Sequence, residues 1–121
     1  MERKWIPIVS EASEEVLELD FAAAEQVGKR SVGEQYLFCR KLLGRVEYLP
    51  YTDIQRAYRR QEESRAVMGC CPQYFLTHFL VTVLPDGTPK KWELERKEQV
   101  DRALELLKER APEIAFGFVQ A

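Results

Sequence analysis

The stretch QYFLTHFLVTVL at residues 73–84 carries the strongest strand signal in the chain. Both of its faces are apolar, with Phe75, Phe79, Val81 and Val83 on one and Tyr74, Leu76, Leu80 and Leu84 on the other. This pattern predicts either a central strand covered on both sides or a long bent strand that changes environment along its length. The PDGT sequence at 85–88 predicts a hairpin turn, and residues 90–94 predict the returning strand, with Trp92 and Leu94 on its buried face.

The segment after this hairpin predicts an amphipathic helix over residues 95–111. Its apolar stripe consists of Val100, Ala103, Leu104, Leu107 and Ala111, and its other faces are charged. Pro112 ends the helix, because proline cannot donate the hydrogen bond that would continue it. Residues 113–119 then alternate between apolar and small side chains, which predicts a closing strand.

Upstream of residue 73 the chain predicts one helix and several strands. Residues 1–30 form an N-terminal arm with a helix at 14–27, capped by Ser13 and ended by Gly28. Its apolar residues are Val16, Leu19, Ala23 and Val27 at helical spacing, with Leu17, Phe21 and Ala24 beside them. Strands are expected at 36–39, 45–49 and 53–60, and the polar stretch 61–72 is interpreted as a loop. The whole chain, 1–121, is therefore expected to be one α+β domain. Its antiparallel sheet of about six strands over 32–94 is bent or forms an open barrel. One helix precedes this sheet in the sequence and one follows it.

From about residue 32 to residue 111 the chain resembles the bacterial pleckstrin-homology-like domains. The resemblance lies in three stretches, VGEQYLF at 32–38, YLPYTDI at 48–54 leading to Tyr58, and LVTVLPDG at 80–87. It implies a strongly bent sheet, usually of seven strands, closed at one end by a helix, and a binding or scaffolding role without enzymatic activity. The N-terminal helix and the closing strand depart from that pattern, so a cystatin-like or other helix-on-sheet fold is the alternative.

Composition limits which cellular compartment and which class of protein the sequence is compatible with. The chain has 121 residues, 45% of them apolar, which suffices for a core without cross-links. Its three cysteines, Cys39, Cys70 and Cys71, form no spaced disulfide framework. The N-terminus lacks the apolar region of a signal peptide, and no stretch approaches the length of a membrane span. These features predict a cytoplasmic protein with no transmembrane segment.

No catalytic or metal site is expected. The one histidine, His78, lies in the middle of the strongest strand, where a packing role is its simplest interpretation. Cys70, Cys71 and His78 together offer soft metal ligands, but adjacent cysteines followed by a gap of seven lack zinc spacing. Glycine-rich phosphate loops and the nucleophile elbow are absent from the sequence. The chain is therefore expected to be neither an enzyme nor a cofactor-binding protein.

A basic middle region is the one feature that points to a ligand. Residues 1–28 carry a net charge of −5 and residues 29–65 a net charge of +4. The candidate anion-binding surface consists of Arg40, Arg45, Arg56, Arg59 and Arg60, with tyrosines between them in sequence. The favoured interpretation is instead a solvated sheet face, whose arginines pair with Glu62 or Glu63 or balance the acidic first helix. The leading hypothesis is therefore a module that binds a protein partner or itself, and the alternative is a phosphate- or anionic-lipid-binding domain. Nucleic acid is not an expected partner.

Overall fold

The structure is a computed structural model that describes residues 3–69 and 71–117, without the side chains at 66–68, 71 and 73. Its elements in chain order are β1 (Lys4–Pro7), α1 (Glu14–Ala23), β2 (Glu25–Val27), β3 (Arg30–Val32), β4 (Tyr36–Arg40), β5 (Arg45–Pro50), a 3-10 turn (Tyr51–Asp53), β6 (Arg56–Met68), β7 (Cys71–Val83), β8 (Pro89–Leu94), α2 (Lys97–Arg110) and β9 (Ala115–Phe116). Neither helix has the length and apolar content needed to cross a bilayer.

The strands form two sheets that are not closed into one barrel. The first has the order β1-β5-β4-β3-β2, in which β2 to β5 are antiparallel neighbours and β1 is added parallel to β5. The second has the order β8-β7-β6-β9, in which β6 to β8 are antiparallel and β9 is parallel to β6. The α+β class with two helices is confirmed. The expected six strands are too few for the described chain, because β1, β2 and β3 are only three or four residues long and have little periodicity of their own.

The first helix is shorter than the sequence predicts. It ends at Ala23, and Val27 belongs to β2 instead. Its buried residues are Leu17 and Phe21, whereas Leu19 of the predicted stripe is 75% exposed. Leu17 and Phe21 lie four positions apart, so they share the face on which the one aromatic ring of the helix packs.

The five-stranded sheet is buried on both faces. On one face Phe38 and Tyr48 pack with Leu17 and Phe21 of α1 and with the half-buried Trp5 of β1. On the other face the neighbouring residues of the same strands pack against the second sheet and α2 in a core that includes Leu37, Leu49, Leu80, Trp92, Val100 and Leu107. The layers are therefore α1, the five-stranded sheet, and then the four-stranded sheet together with α2.

The second helix matches its prediction within two residues at its start. Val100, Ala103, Leu107 and Ala111 are buried as expected. Leu106 is also buried, although it was outside the predicted stripe, and Leu104 only packs against the core from the side. The N-terminus of the helix is fixed by the Gln99 side chain, whose oxygen accepts the N–H groups of residues 95 and 96 at 3.0 and 3.1 Å.

The hairpin at 85–88 and its returning strand are confirmed. Gly87 has a φ of +87°, and Asp86 accepts the N–H of Thr88 at 2.9 Å. Trp92 and Leu94 are buried in β8. The closing strand is present as the short β9, while residues 118 and 119 of that prediction lie outside the described residues.

The predicted loop at 61–72 is wrong. Strand β6 continues to Met68, and β7 already begins at Cys71, so the two strands pair over thirteen residues. Gly69, with a φ of +68°, lies at the turn between them. The distal part of the hairpin has no core to pack against. Its sequence is therefore polar, shows no buried face and gives no strand signal.

A candidate interaction surface on the β6–β7 ribbon

The longest hairpin runs past the rest of its sheet. β8 pairs with β7 from Val83 back to His78, and β9 pairs with β6 only at Arg56 and Ala57. Among the described residues, the stretch 62–77 therefore has two strands and no third neighbour. The seven residues of β7 before His78 correspond to about 23 Å of extended chain. We call this part of the hairpin, residues 62–77, the ribbon.

The ribbon exposes three consecutive large apolar side chains. Tyr74, Phe75 and Leu76 are 62%, 46% and 61% exposed. Because side chains alternate along a strand, Tyr74 and Leu76 lie on one face and Phe75 on the other. An isolated two-stranded ribbon is only marginally stable, and clustered exposed apolar residues commonly mark protein-binding surfaces.

Strand β7 thus changes environment along its length, one of the two possibilities that its sequence left open. Leu80 is buried between the sheets, whereas Leu76, four residues earlier on the same face, is mostly exposed. The alternation of the sequence continues without a break across this boundary. Only the surroundings differ, and these come from β8 and α2.

Strand β6, which pairs with β7, carries charged side chains of both signs. Glu62 accepts a 2.6 Å hydrogen bond from Lys91 of β8, which lowers the pKa of the Glu62 carboxyl, and Arg60 lies 3.4 Å from the same carboxylate. On the opposite face Arg59 pairs with Asp101 of α2 at 3.0 Å. These pairs are partly exposed, so each contributes little to stability.

The five arginines predicted as an anion surface are divided between two sheets. Arg40 and Arg45 belong to β4 and β5, and the Arg40 guanidinium lies 5.1 Å from the centre of the Phe21 ring. Arg56, Arg59 and Arg60 belong to β6, where Arg56 donates to the carbonyl of Gly117 at 3.0 Å. Because Arg59 and Arg60 are adjacent, they point to opposite faces of the strand.

The partners of Arg59 and Arg60 agree only in part with the favoured interpretation. Among the described residues, Arg60 contacts Glu62, as that interpretation allows, whereas Arg59 contacts Asp101 of α2 and not an acid of the first helix. The ion pair that the described residues form with that helix joins Arg3 to Glu18 at 2.9 Å.

Surface depressions offer little to an anion. Five of them have volumes between 230 and 370 Å³, and each is lined by at most two lysine or arginine side chains. The one that includes a predicted arginine lies between β6 and α2, and there Arg59 and Lys108 share the lining with Asp101. The carboxylate of Asp101 already neutralises part of that charge.

In the part of the chain that the structure describes, Cys71 and His78 lie far apart along β7. Cys39 is buried as a free thiol in β4, and Cys70 lies outside the described residues. Cys71 and His78 are seven positions apart on an extended strand, which places their backbones about 23 Å apart. Among the described residues, no group of three or more His, Cys, Asp or Glu side chains is arranged to hold a metal ion.

A polar cluster between the helices was missed by the sequence reasoning. Asp20 of α1 accepts the N–H groups of Glu34, Gln35 and Tyr36 at 2.8, 3.2 and 3.0 Å. Arg110, at the end of α2, donates to the carbonyls of residues 32 and 33 at 2.7 and 2.9 Å. Both helices therefore hold the same turn. Asp20 lies 14–16 positions from its partners and Arg110 lies 77–78 positions from its own, and no sequence motif links residues at these separations.

A second link joins α2 to the first sheet. Arg102 donates two hydrogen bonds, of 2.7 and 2.8 Å, to the carboxylate of Glu25 on β2. The hydrogen bond lowers the pKa of Glu25 and raises that of Arg102. The pair joins α2 to the edge strand β2 of the five-stranded sheet.

Comparison with known proteins places the chain in a family. Neither the curated proteins nor the solved structures compared with it contain a match. One family model, described as a domain of unknown function, DUF6709, matches residues 3–121. This match spans nearly the whole sequence, including the ribbon and both helices. The chain therefore belongs to the DUF6709 family.

Proposed function

We propose that this domain is a non-catalytic interaction module of the pleckstrin-homology-like kind, which binds a protein partner or a second copy of itself. The observation that carries the proposal is the ribbon, where Tyr74, Phe75 and Leu76 are exposed on strands that have no third neighbour among the described residues. Exposed strand edges and apolar patches are surfaces that proteins otherwise avoid.

The strand order supports the pleckstrin-homology-like part of the proposal. Strands β2 to β5 form one antiparallel meander, strands β6 to β8 form a second, and helix α2 follows directly. These are seven strands and a closing helix, which is the usual number in the domains that the sequence resembles. The elements β1, α1 and β9 are additions to this arrangement.

The proposal places the domain in the cytoplasm and assigns it no enzymatic activity. The buried free thiol of Cys39 fits a reducing compartment. In the described part of the chain, Nδ1 of the one histidine, His78, is buried without a hydrogen-bond partner. A positioned nucleophile and base are the minimum for covalent catalysis.

Site-specific photo-crosslinking in cells tests the ribbon as the binding surface. A photoreactive phenylalanine analogue replaces Leu76, and the control replaces Leu42, which is 85% exposed on the turn between β4 and β5. We expect the variant at position 76 to form one discrete adduct, which mass spectrometry identifies as this chain or another protein. The control is expected to form none. If position 76 gives no adduct, or both positions give the same products, the proposal is wrong.

The alternative is a phosphate- or anionic-lipid-binding domain. It has less support, because the predicted arginines are divided between sheets and two of them already contact carboxylates. Cosedimentation with vesicles containing phosphatidylserine, compared with pure phosphatidylcholine vesicles, separates the two functions. We expect no difference between the vesicles, and a strong, salt-sensitive preference for phosphatidylserine would favour the alternative.

A further inference from the structure

Helix α1 carries apolar side chains on two of its faces. Leu17 and Phe21 face the five-stranded sheet and are buried. Val16, Leu19 and Ala23 follow the helix at intervals of three and four residues, and Val16 and Leu19 are 42% and 75% exposed. We call these three residues the outer stripe. A surface helix normally has one apolar stripe, which faces the core, so the outer stripe is a face without a partner in the described chain.

The outer stripe forms one wall of a depression with a volume of about 290 Å³. The other wall is the turn between β3 and β4, which contributes Glu34 and Gln35. Asp20 joins the two walls, because its carboxylate on α1 accepts the N–H groups of this turn. The shape of the depression is therefore fixed before a partner binds, which lowers the entropy cost of binding.

Acidic side chains border the outer stripe on both sides. Glu15 lies about 40° around the helix axis from Leu19 on one side, and Asp20 and Glu34 lie on the other. The side chains of Glu15 and Glu34 form no ion pair with another described residue. The described lining of the depression also contains no lysine or arginine. The potential at the outer stripe is therefore negative.

The two ends of the described chain lie away from the outer stripe. Arg3 pairs with Glu18 at 2.9 Å, and Glu18 lies at least about 100° around the helix axis from every residue of the outer stripe. Gly117 lines a different depression, between β6 and α2, in the layer beyond the five-stranded sheet. The face that the β3–β4 turn shares with the outer stripe is thus reached by neither end.

The spacing and the charge indicate what kind of partner fits. Apolar residues at intervals of three and four form the seam along which helices pack, and the small side chain of Ala23 lets a second helix approach closely. A second copy of α1 does not fit, because packing two outer stripes together brings two acidic surfaces into contact. Helix α2 of a second copy does not fit either, since its apolar side chains are buried in the core.

We propose that the outer stripe binds a basic amphipathic helix of another protein. The apolar face of that helix packs on Leu19 and into the depression, and its lysine or arginine side chains contact Glu15 and Glu34. The outer stripe is about 10 Å long, which corresponds to about two turns of the bound helix. This surface lies on a different sheet from the ribbon, so it is a second binding surface and does not depend on the first.

NMR titration of the isotope-labelled domain with a synthetic helix tests the location. The probe is a peptide of about 14 residues made of lysine, leucine and alanine, with the lysines on one face. The control is the same peptide with every lysine replaced by glutamate. We expect the first peptide to shift amide signals of α1 and of the 33–36 turn, and the second peptide to shift none.

A matched pair of variants tests the apolar contact. Leu19→Asn removes the centre of the outer stripe, whereas Leu42→Asn makes the same change at the β4–β5 turn, where the side chain is 85% exposed. We expect the first variant to bind the basic peptide about tenfold more weakly, because one leucine is no longer buried on binding. The second variant should bind like the wild type. Thermal melts check that both variants are folded.

A second pair of variants tests the charge. Glu15→Lys with Glu34→Lys reverses both borders of the outer stripe, and Glu63→Lys with Glu98→Lys changes the net charge equally on the ribbon and on α2. We expect the first variant to bind the basic peptide at least about tenfold more weakly and with less dependence on salt. The second variant should keep most of the affinity and of the salt dependence, since its charges lie far from the outer stripe.

Four outcomes overturn the proposal. These are equal binding of the basic and the acidic peptide, shifts spread over the whole surface, an unchanged affinity of the Leu19 variant, and equal losses in the two charge variants. Self-association of the wild type that Leu19→Asn abolishes, measured by sedimentation equilibrium, also overturns it, because the occupant is then a second copy. The cross-linking result at position 76 is independent of all these measurements.

Discussion

The carboxylate of Asp20 lies in the space that a side chain at Gly33 would occupy. A β-carbon built on Gly33 would stand 2.1 Å from Oδ2 of Asp20. The same carboxylate accepts hydrogen bonds from the three N–H groups that follow Gly33. A glycine is therefore required here by close approach, and helix α1 is anchored to the β3–β4 turn through this contact.

Substitution of that glycine should destabilise the domain. We expect Gly33→Ala to cost about 1–3 kcal/mol in the free energy of unfolding, because the added methyl group collides with Asp20. Asp20→Ala should also destabilise, since three N–H groups lose their acceptor. In the double variant the collision is absent, so its loss should stay close to that of Asp20→Ala alone. Urea denaturation of the three variants measures this, and additive losses would contradict the collision.

Two leucines of α2 should differ in their contribution to the core. Leu107 is fully buried, whereas Leu104 is only partly covered and lines the depression next to β6. We expect Leu107→Ala to cost about 2–5 kcal/mol, by lost contacts and a residual cavity, and Leu104→Ala less than half as much. Equal losses in urea denaturation would show that the helix is rotated relative to the structure.

Alkaline pH should unfold the domain partly through Tyr51. Burial raises the pKa of Tyr51 well above its ordinary value of 10.0, and its hydroxyl donates to the carbonyl of Gly33. Above pH 10 the unfolded chain releases this proton while the folded chain retains it, so stability falls as the pH rises beyond 10. Tyr51→Phe is expected to be less stable at neutral pH but to lose less stability between pH 9 and 11. An unchanged pH slope in thermal melts would contradict this assignment.

The ribbon should be dispensable for folding. No residue between 62 and 77 belongs to either buried core in the described part of the chain. We therefore expect that replacing residues 63–76 by Asn-Gly, which favours a two-residue hairpin after Glu62, changes the free energy of unfolding by less than about 1 kcal/mol. Circular dichroism melts measure the change. A variant that aggregates or melts far below the wild type would show that the ribbon supports the body.

The parts of the fold that could be predicted have local causes. Helix α2 shows a stripe of apolar residues, and the 85–88 turn contains the Asp-Gly pair that its geometry favours. Trp92 and Leu94 alternate with charged neighbours in a strand with one buried face. In each case the residues that decide the structure lie within a few positions of one another.

The parts of the fold that the sequence does not predict depend on residues that are distant in sequence. β1 is a strand because it pairs with β5, and four residues without periodicity do not show this. The sequence predicts a loop at 61–72, although β6 and β7 pair across this stretch, because the residues there show no buried face. The sequence did name Arg59, but its contact with Asp101 depends on how α2 packs beside β6.

The two parallel pairings have a consequence for the order of folding. The meanders β2–β5 and β6–β8 join strands that follow each other directly, whereas β1 pairs with residues 41 positions later, as Lys4 does with Arg45, and β9 with residues 59 positions earlier, as Ala115 does with Arg56. Closing a long loop costs more entropy than closing a short one, so we expect the meanders to form first and both outer strands to dock last. During synthesis, β1 leaves the ribosome before its partner exists. Its first stable contacts therefore wait until β5 has been made.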